Sequence, residues 1–385
     1  MNHPDCDVLI VGAGPAGSTA AFILAGRGLK VVLLDRCAFP RPKLCGGLLT
    51  LKSVQILERI FKLSRRTLKS SGPIGCETRR YAVADRYGHA LTRRLDDPFH
   101  LVDRTTYDEF WLRQAVCAGA ELHAGAAVVA LHPARGEALT ADGQRWRARI
   151  VIGADGVDSR IRHALQAAGS LRPPRRRGRA VALECLVPRQ PGAFPEHPTI
   201  YFGRVPWGYA WSFPGPSRQV LGIAALKTRG RRLQDDFRDF LCELKLPLTD
   251  PLRLHGHGLP YGNYLKTPGH RNTLLIGDAA GLADPFLGEG IYYAHRSAEL
   301  AAQAVLASFE RPEEALSAYR GMFRRRLLPE MRYAWAGRQI IFALPPRLYY
   351  PFLSLFLRVA PKIGEQTIQG QRSFRWFRLK TPCPR

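Results

Sequence analysis

The sequence predicts an α/β chain: a doubly wound domain of buried parallel strands, interrupted by an antiparallel sheet and followed by a helical region. Three observations carry this. Short apolar runs end in glycines at three places, Val8–Val11 before Gly12, Arg149–Ile152 before Gly153, and Thr273–Ile276 before Gly277, the last two with an acid among the glycines. Between the second and third, from Ala180 onward, alternating β-rich runs are separated by Pro and Gly turns. From Tyr319 the chain turns helical, aromatic and basic.

The first element sets the frame. Val8-Leu9-Ile10-Val11 is too compact for a helix and typical of a buried parallel strand. Gly12-Ala13-Gly14-Pro15-Ala16-Gly17 follows, then an apolar-periodic helix from Ser18 to about Ala25, ended by Gly26-Arg27-Gly28. A second strand, Lys30 to Leu34, finishes on Asp35. Gly12 makes the tight turn, Gly14 lets a pyrophosphate approach the backbone, and Gly17 lets helix and strand pack closely. Gly12, Gly14, Ala16 and Gly17 thus form a cradle at a helix N-terminus, where free N–H groups suit phosphates. Asp35, followed by Arg36, stands about twenty residues on, where an acid binds a ribose hydroxyl pair. The ligand class is a dinucleotide; the pattern alone does not separate FAD from NAD.

After Asp35, Arg36–Gly47 holds two prolines that block helix and two glycines that free the backbone, so it is a shaped loop. Leu48–Phe61 then reads as a helix, and Tyr81–Leu91 as a hairpin turning at Gly88. Thr106–Ala118 is an amphipathic helix capped by Thr105 or Thr106. Strands at Ala126–His132 and Arg149–Ile152 lead into Gly153-Ala154-Asp155-Gly156. Val181–Val187, Thr199–Gly203, Gly208–Phe213 and Val220–Leu226 make the antiparallel sheet, with a helix over Arg232–Leu244. The expected division is 1–75, 101–172 and 271–318 for the nucleotide domain, 76–100 and 173–270 for the substrate domain, and 319–385 for the C-terminal region.

Composition bounds the partners. The chain has 385 residues, room for two domains and an appendage. Its net charge is +25, concentrated in Arg172–Arg179 and from Arg324 onward. Such charge fits nucleic acid, an anionic membrane surface, an acidic substrate or simply solvated faces. No nucleic-acid fold signature accompanies it, so no nucleic acid is expected. The eight cysteines show no CxxC pair and read as reduced thiols. No secretory pattern is visible and no apolar run reaches the ~18 residues that span a bilayer. The expected location is cytoplasmic, peripheral at the inner membrane face. His255 and His257 share a strand face, but no third ligand follows at metal-like spacing.

Three motifs in order, Gly12–Gly17, Gly153-Ala154-Asp155-Gly156-x-x-Ser159-x-x-Arg162 and Gly277-Asp278-Ala279-Ala280, resemble the hydroxybenzoate-hydroxylase-like flavoproteins over residues 5–310. That resemblance implies a glutathione-reductase-type FAD-binding Rossmann domain with an inserted antiparallel β-sheet substrate domain and a C-terminal helical region. It implies FAD as cofactor. The hydroxylases usually place His after the last of these motifs and a GQG downstream; here Gly281 and Gly288-Glu289-Gly290-Ile291 stand there. With Phe39-Pro40-Arg41, Lys43-x-Cys45-Gly46-Gly47 and Trp207–Pro214, the chain resembles the geranylgeranyl reductase family, whose members saturate isolated prenyl double bonds with reduced FAD. Tyr209–Pro214 also approaches the signature of flavin halogenases, but Lys43–Gly47 replaces their glycine-glutamate-serine segment and argues against halogenation. An FAD monooxygenase of an aromatic or lipid substrate is the chief rival.

By resemblance, Asp35 and Arg36 hold the adenosine end, Arg104 reaches the FAD phosphates, and Gly277 and Asp278 bind the central ribitol or pyrophosphate. Gly288, Gly290 and Ile291 precede a helix whose dipole faces the flavin N1/C2-carbonyl edge. Asp155 and Gly156 support the FAD site or assist NADPH, with a turn-and-cap role as the alternative. No second GxGxxG exists, so NADPH or a reduced protein carrier must deliver electrons without its own Rossmann domain. Cys45 and Gly46 belong beside the isoalloxazine ring, with Cys45 either a proton donor or loop packing. Tyr209 and Trp211, with Phe213, are read as catalytic walls for an isoprenoid or lipid, or as sheet core. Glu289 is a local acid or a helix-start carboxylate.

Overall fold

Cys6–Val11 is the inner strand of an eight-stranded sheet and pairs in parallel on both sides, Val8 with Val31 and with Ile150. A computed structural model describes residues 4–173, 178–189, 192, 194–215, 218–226, 232–245 and 253–374. Within it the strand order is Gly269–His270, Thr273–Leu275, Arg145–Gly153, Cys6–Val11, Val31–Asp35 and Glu121–Ala124. Val128–His132 and Glu137–Thr140 fold back antiparallel onto Arg145–Gly153. The unbroken apolar runs follow from burial on both faces. Helix Pro15–Ala25 packs against Arg104–Cys117 and Ile291–Ala307 over this sheet.

The second sheet runs His255–Pro260, Arg179–Pro188, Arg218–Leu226, Gly208–Pro214, Thr199–Tyr201, Cys76–Ala84, Ala90–Leu101, Leu48–Leu49. Its pairs are antiparallel with one exception that corrects the expected architecture: Thr199–Tyr201 lies parallel to Cys76–Ala84. A hairpin and a meander, distant in sequence, join at that seam, and no local pattern sets the direction of such a joint. Side chains alternate across this sheet. Leu183, Cys185, Leu221 and Ile223 face one way, onto Phe237, Phe240 and Leu241 of helix Leu233–Glu243. Their neighbours face the first sheet.

Several boundaries differ from expectation; the hairpin expected at Tyr81–Leu91 has the longer strands Cys76–Ala84 and Ala90–Leu101. Leu48–Leu49 is a short strand paired with His100 and Leu101, and the helix starts at Leu51, after Thr50. The cap of helix Arg104–Cys117 is Asp103, whose Oδ1 accepts the Thr105 N–H at 2.8 Å, not Thr105 or Thr106. A carboxylate accepts that orphan donor more strongly than a hydroxyl.

The C-terminal region consists of helices Ala315–Arg326, Leu328–Phe342, Tyr349–Val359 and Pro361–Ile368. Leu328–Phe342 and Pro346–Val359 meet at 106°, with the Phe342 and Tyr349 rings edge-on at 4.9 Å across the turn. Gln369 fastens the end: its side chain accepts the Leu51 N–H at 2.7 Å and donates to the Asp97 carbonyl at 2.7 Å. No single described helix is long and apolar enough to cross a membrane. Positions 174–177 of the basic run, and the basic tail from 375, lie outside the described residues.

Candidate active site

The two sheets face each other across one cavity of about 1030 Å³, and the glycine turn forms its floor at one end. Gly12 has φ +101, and a side chain there would strike the Ala154 carbonyl at 2.5 Å. One at Gly17 would sit 1.8 Å from the Gly12 carbonyl, so strand and helix touch as the spacing requires. Gly14 differs: a Cβ there would meet only the Arg41 guanidinium, at 3.6 Å. Gly14 is the N-cap of helix Pro15–Ala25 and offers no side-chain cap, so the helix N–H groups stay free. Ala16 is buried and lies against the Gly277 backbone, 3.1 Å from a Cβ built there.

Asp35 is buried at the end of its strand, with Oδ2 accepting the Ala13 N–H at 2.7 Å and Oδ1 the Cys37 N–H at 2.9 Å. Its carboxylate braces the glycine turn and still lines the cavity; Arg36 is exposed at the rim. A second uncapped helix N-terminus, Gly290 before Ile291, faces the same space, and a Cβ at Gly290 would lie 3.6 Å from Asp278 Oδ1. Burial pushes the Asp278 carboxyl upward, opposed by Lys43, Arg104 and Arg162. Two bare helix N-termini, side-chain-free glycines and a buried strand-end acid are a donor set that fits FAD.

Two residues assigned by resemblance are otherwise engaged. Arg104 is bidentate to Asp108, Nε to Oδ1 at 2.8 Å and Nη2 to Oδ2 at 2.9 Å, and its charge lies beside Cys45. The guanidinium nearest Gly14 is that of Arg41, which shares Asp108 at 3.5 Å. Asp155 Oδ2 accepts the Arg160 N–H at 2.6 Å and the Ile161 N–H at 3.2 Å, so it caps helix Arg160–Ala167 together with Ser159. Its Oδ1 is buried without a partner, and Gly156, with φ +83, leaves open space beside it.

The other end of the cavity is where the Cys45 loop meets the aromatic strand. A Cβ at Gly46 would lie 2.7 Å from the Phe213 ring and 3.4 Å from Trp211 Nε1. One at Gly47, φ +69, would strike the Val102 carbonyl at 2.2 Å. These contacts require glycine at both positions. Cys45 Sγ, half-buried, accepts the Gly47 N–H at 3.4 Å. The Tyr209 and Trp211 rings are 6.0 Å apart, and those of Trp211 and Phe213 6.4 Å. Tyr209 donates its hydroxyl to the Leu287 carbonyl at 2.8 Å, so it braces the Gly288 turn. Trp211 Nε1 is buried with no partner, and its ring lies over Gly222.

Three further side chains of this end were not singled out by sequence reasoning as site residues. Lys43 Nζ is 2.7 Å from His257 Nε2; burial lowers both, His257 to about 4, so a neutral imidazole accepts from the ammonium. Glu184, 4% exposed, lines the cavity, and burial pushes its carboxyl up to about 7 against the pull of Arg104 and Lys43. The available signal was one acid inside the apolar run Val181–Val187. Beyond them Phe342, Leu353, Phe356, Leu357 and Ile368 close the far wall, so the C-terminal helices belong to the cavity. Glu289 is held by Thr50, Ser53 and Lys52 at 2.7, 2.7 and 2.6 Å, which makes it a buried tie at the helix start.

Residues 5–173 match the family described as FAD binding domain. The geranylgeranyl diphosphate reductase of Rhodobacter capsulatus is 30% identical over 330 residues, 78% of this chain and 75% of that protein. The digeranylgeranylglycerophospholipid reductase of Methanosarcina acetivorans is 27% identical over 342 residues, 83% of this chain and 80% of that protein. The fold is that of a geranylgeranyl bacteriochlorophyll reductase-like protein from Thermoplasma acidophilum, with TM-score 0.78 and 21% identity over 94% of this chain and 99% of the other. The glycine cradle, the cavity it opens on and these relationships converge: the chain belongs to the geranylgeranyl reductase family of FAD-dependent oxidoreductases.

Proposed function

We propose that this protein saturates double bonds of a prenyl chain carried on a lipid or related isoprenoid, with FAD bound between its two sheets. The observation that carries the reading is the continuity of the cavity. It runs from the glycine cradle past the Cys45-Gly46-Gly47 loop and the Tyr209–Trp211–Phe213 stripe to Leu353, Phe356 and Ile368. A long apolar channel reaching the flavin site suits an isoprenoid chain and offers little to a polar substrate.

Gly12, Gly14, Ala16, Gly17 and the helix behind them take the pyrophosphate, Asp35 and Arg36 the adenosine ribose, and Gly277 and Asp278 the middle of the cofactor. Arg41 and Arg104, tied through Asp108, set the positive charge near the phosphates. Asp155 and Gly156 shape the adjoining turn. Gly288, Gly290 and Ile291 would present the second helix N-terminus to the cofactor, and its partial positive charge would favour negative charge placed there. FAD, when bound and reduced, supplies a hydride. The chain's own work is to hold the alkene against that ring, keep water out with aromatic walls, and deliver a proton to the second carbon. Tyr209 fixes the Gly288 turn, Trp211 and Phe213 form the wall, and Cys45 packs the loop that closes over them. Electrons arrive from NADPH or a reduced protein carrier.

The C-terminal helix Tyr349–Val359 supports a site at an anionic membrane surface. Phe352, Leu355 and Val359 are 46%, 61% and 76% exposed on one side, while Leu353, Phe356 and Leu357 line the cavity from the other. A prenyl chain would enter from the membrane through this wall. The test is anaerobic reaction of chemically reduced enzyme with geranylgeranyl lipids: product with added hydrogen supports the reading, and product with added oxygen contradicts it.

A further inference from the structure

Among the described residues of the second sheet that line the cavity, Glu184 is the one acid. Its strand presents Ala180, Ala182 and Glu184 to the cavity while Leu183 and Cys185 face the opposite core. Glu184 pairs with Gly222, whose other neighbour in the ladder is Trp211. The Trp211 indole lies over Gly222, 2.2 Å from where a Cβ would stand, so a flat apolar floor leads along this row to the carboxyl. From the facing loop, the backbone N–H of Cys45 is its hydrogen-bonding neighbour.

The charged groups around it are committed elsewhere. Arg104, from the helix below, gives its guanidinium to Asp108 in a bidentate pair. Lys43, from the loop, donates to His257 on the neighbouring strand. His255, the direct ladder partner of Glu184, is exposed to solvent, and Cys185, next in sequence, points into the opposite core. Burial without a salt bridge favours the neutral acid, and Glu184 is accordingly held near neutrality instead of in the usual carboxylate range.

We propose that Glu184 is the acid that gives the proton when a double bond is saturated in this cavity, an assignment that rests on the prenyl-reduction reading above. A hydride from the reduced flavin bonds to one alkene carbon, and the alkene π pair takes the Glu184 proton at the other carbon. The O–H bond breaks with its electron pair left on the carboxylate, the alkene is reduced by two electrons, and the flavin is oxidised by two. The carboxylate recovers its proton from water once product has left. Cys45 then serves as the wall that holds the alkene beside Glu184.

The test uses FAD-loaded enzyme, wild type, Glu184→Gln and Glu184→Asp. Infrared difference spectra across pH should show a protonated carboxyl that persists toward neutrality in wild type and is missing in Glu184→Gln. In anaerobic single turnover with a geranylgeranyl lipid, Glu184→Gln should keep its flavin and slow saturation by about 10²–10⁴-fold, the range for a lost general acid. Glu184→Asp should regain part of the rate. The wild-type rate should fall as pH rises through about 7, and Glu184→Gln should lose that limb. Wild-type turnover in Glu184→Gln, or no carboxyl band assignable to Glu184, overturns the proposal. If wild type saturates no prenyl lipid while the band is present, the substrate reading fails and the proton-holding role stands.

Discussion

Gly14→Val separates binding from folding at the centre of the cradle. Gly14 has φ −70 and ψ −174, extended backbone that any residue adopts. The nearest atom to its Cβ position is the flexible end of Arg41, at 3.6 Å, an ordinary contact. Loss of a favourable N-cap costs about 0.5–1 kcal/mol, and the smaller unfolded-state entropy returns about 0.4–1 kcal/mol. The apo protein should therefore keep its stability within about 1 kcal/mol. The space the valine fills is the one a pyrophosphate needs. If FAD at a thousandfold excess over Kd adds about 4 kcal/mol to wild type, Gly14→Val should lose nearly all of that. The assay is thermal unfolding of both proteins with and without FAD, beside flavin absorbance after purification. The control is Gly17→Ala, whose Cβ would stand 1.8 Å from the Gly12 carbonyl; backbone must move, and folding itself should suffer. Full FAD retention and an unreduced ligand shift in Gly14→Val would refute the assignment of the cradle.

Three further outcomes are expected. Cys45→Ser should keep the flavin spectrum and slow saturation less than Glu184→Gln does; a larger loss at Cys45 would make the thiol the proton source. For Glu184, the folded acid titrates near 7 against an ordinary 4.5, so the folded state binds the extra proton between those values. Its contribution to stability therefore falls as pH rises from about 4.5 to about 7, by roughly 3 kcal/mol, and urea titrations should show this slope in wild type and not in Glu184→Gln. At the membrane wall, Leu355→Asp with Val359→Asp removes two exposed side chains, each worth about 1.5–3 kcal/mol when buried in lipid. Pelleting with anionic vesicles should drop by roughly 100-fold or more, and unchanged pelleting would remove this helix from the interface.

The cradle was legible because its requirements are contiguous: a turn, a bare helix start and an acid lie within Val8–Asp35, and each constraint is local backbone geometry. The resemblance put the Cys45-Gly46-Gly47 loop beside the flavin, but the contact of Gly46 with Trp211 and Phe213, and of Gly47 with the Val102 carbonyl, was not legible, since the reason for glycine lies in residues distant in sequence. The exchange of roles between Arg41 and Arg104 was hidden. Both are basic residues near a binding loop, and only packing shows that Asp108 holds one fully and shares the other. Glu184 stood unremarked inside the run Val181–Val187, because the face it takes depends on the register with Arg218–Leu226. The C-terminal helices carried no motif, and their part in the cavity comes from shape: the sharp bend at Pro345 and Pro346 turns Leu353 and Phe356 inward.

The most direct test of the central claim is the anaerobic reaction of dithionite-reduced enzyme with a geranylgeranyl lipid, read by mass spectrometry. Prenyl reduction gives a gain of about two mass units per saturated bond, one hydride and one proton. In deuterated water both added hydrogens should be deuterium, because the N5 hydrogen of reduced flavin exchanges with solvent as the acid's proton does, for a gain of about four mass units per saturated bond. A product that forms only when oxygen is admitted, and that carries an added oxygen atom, would contradict the central claim.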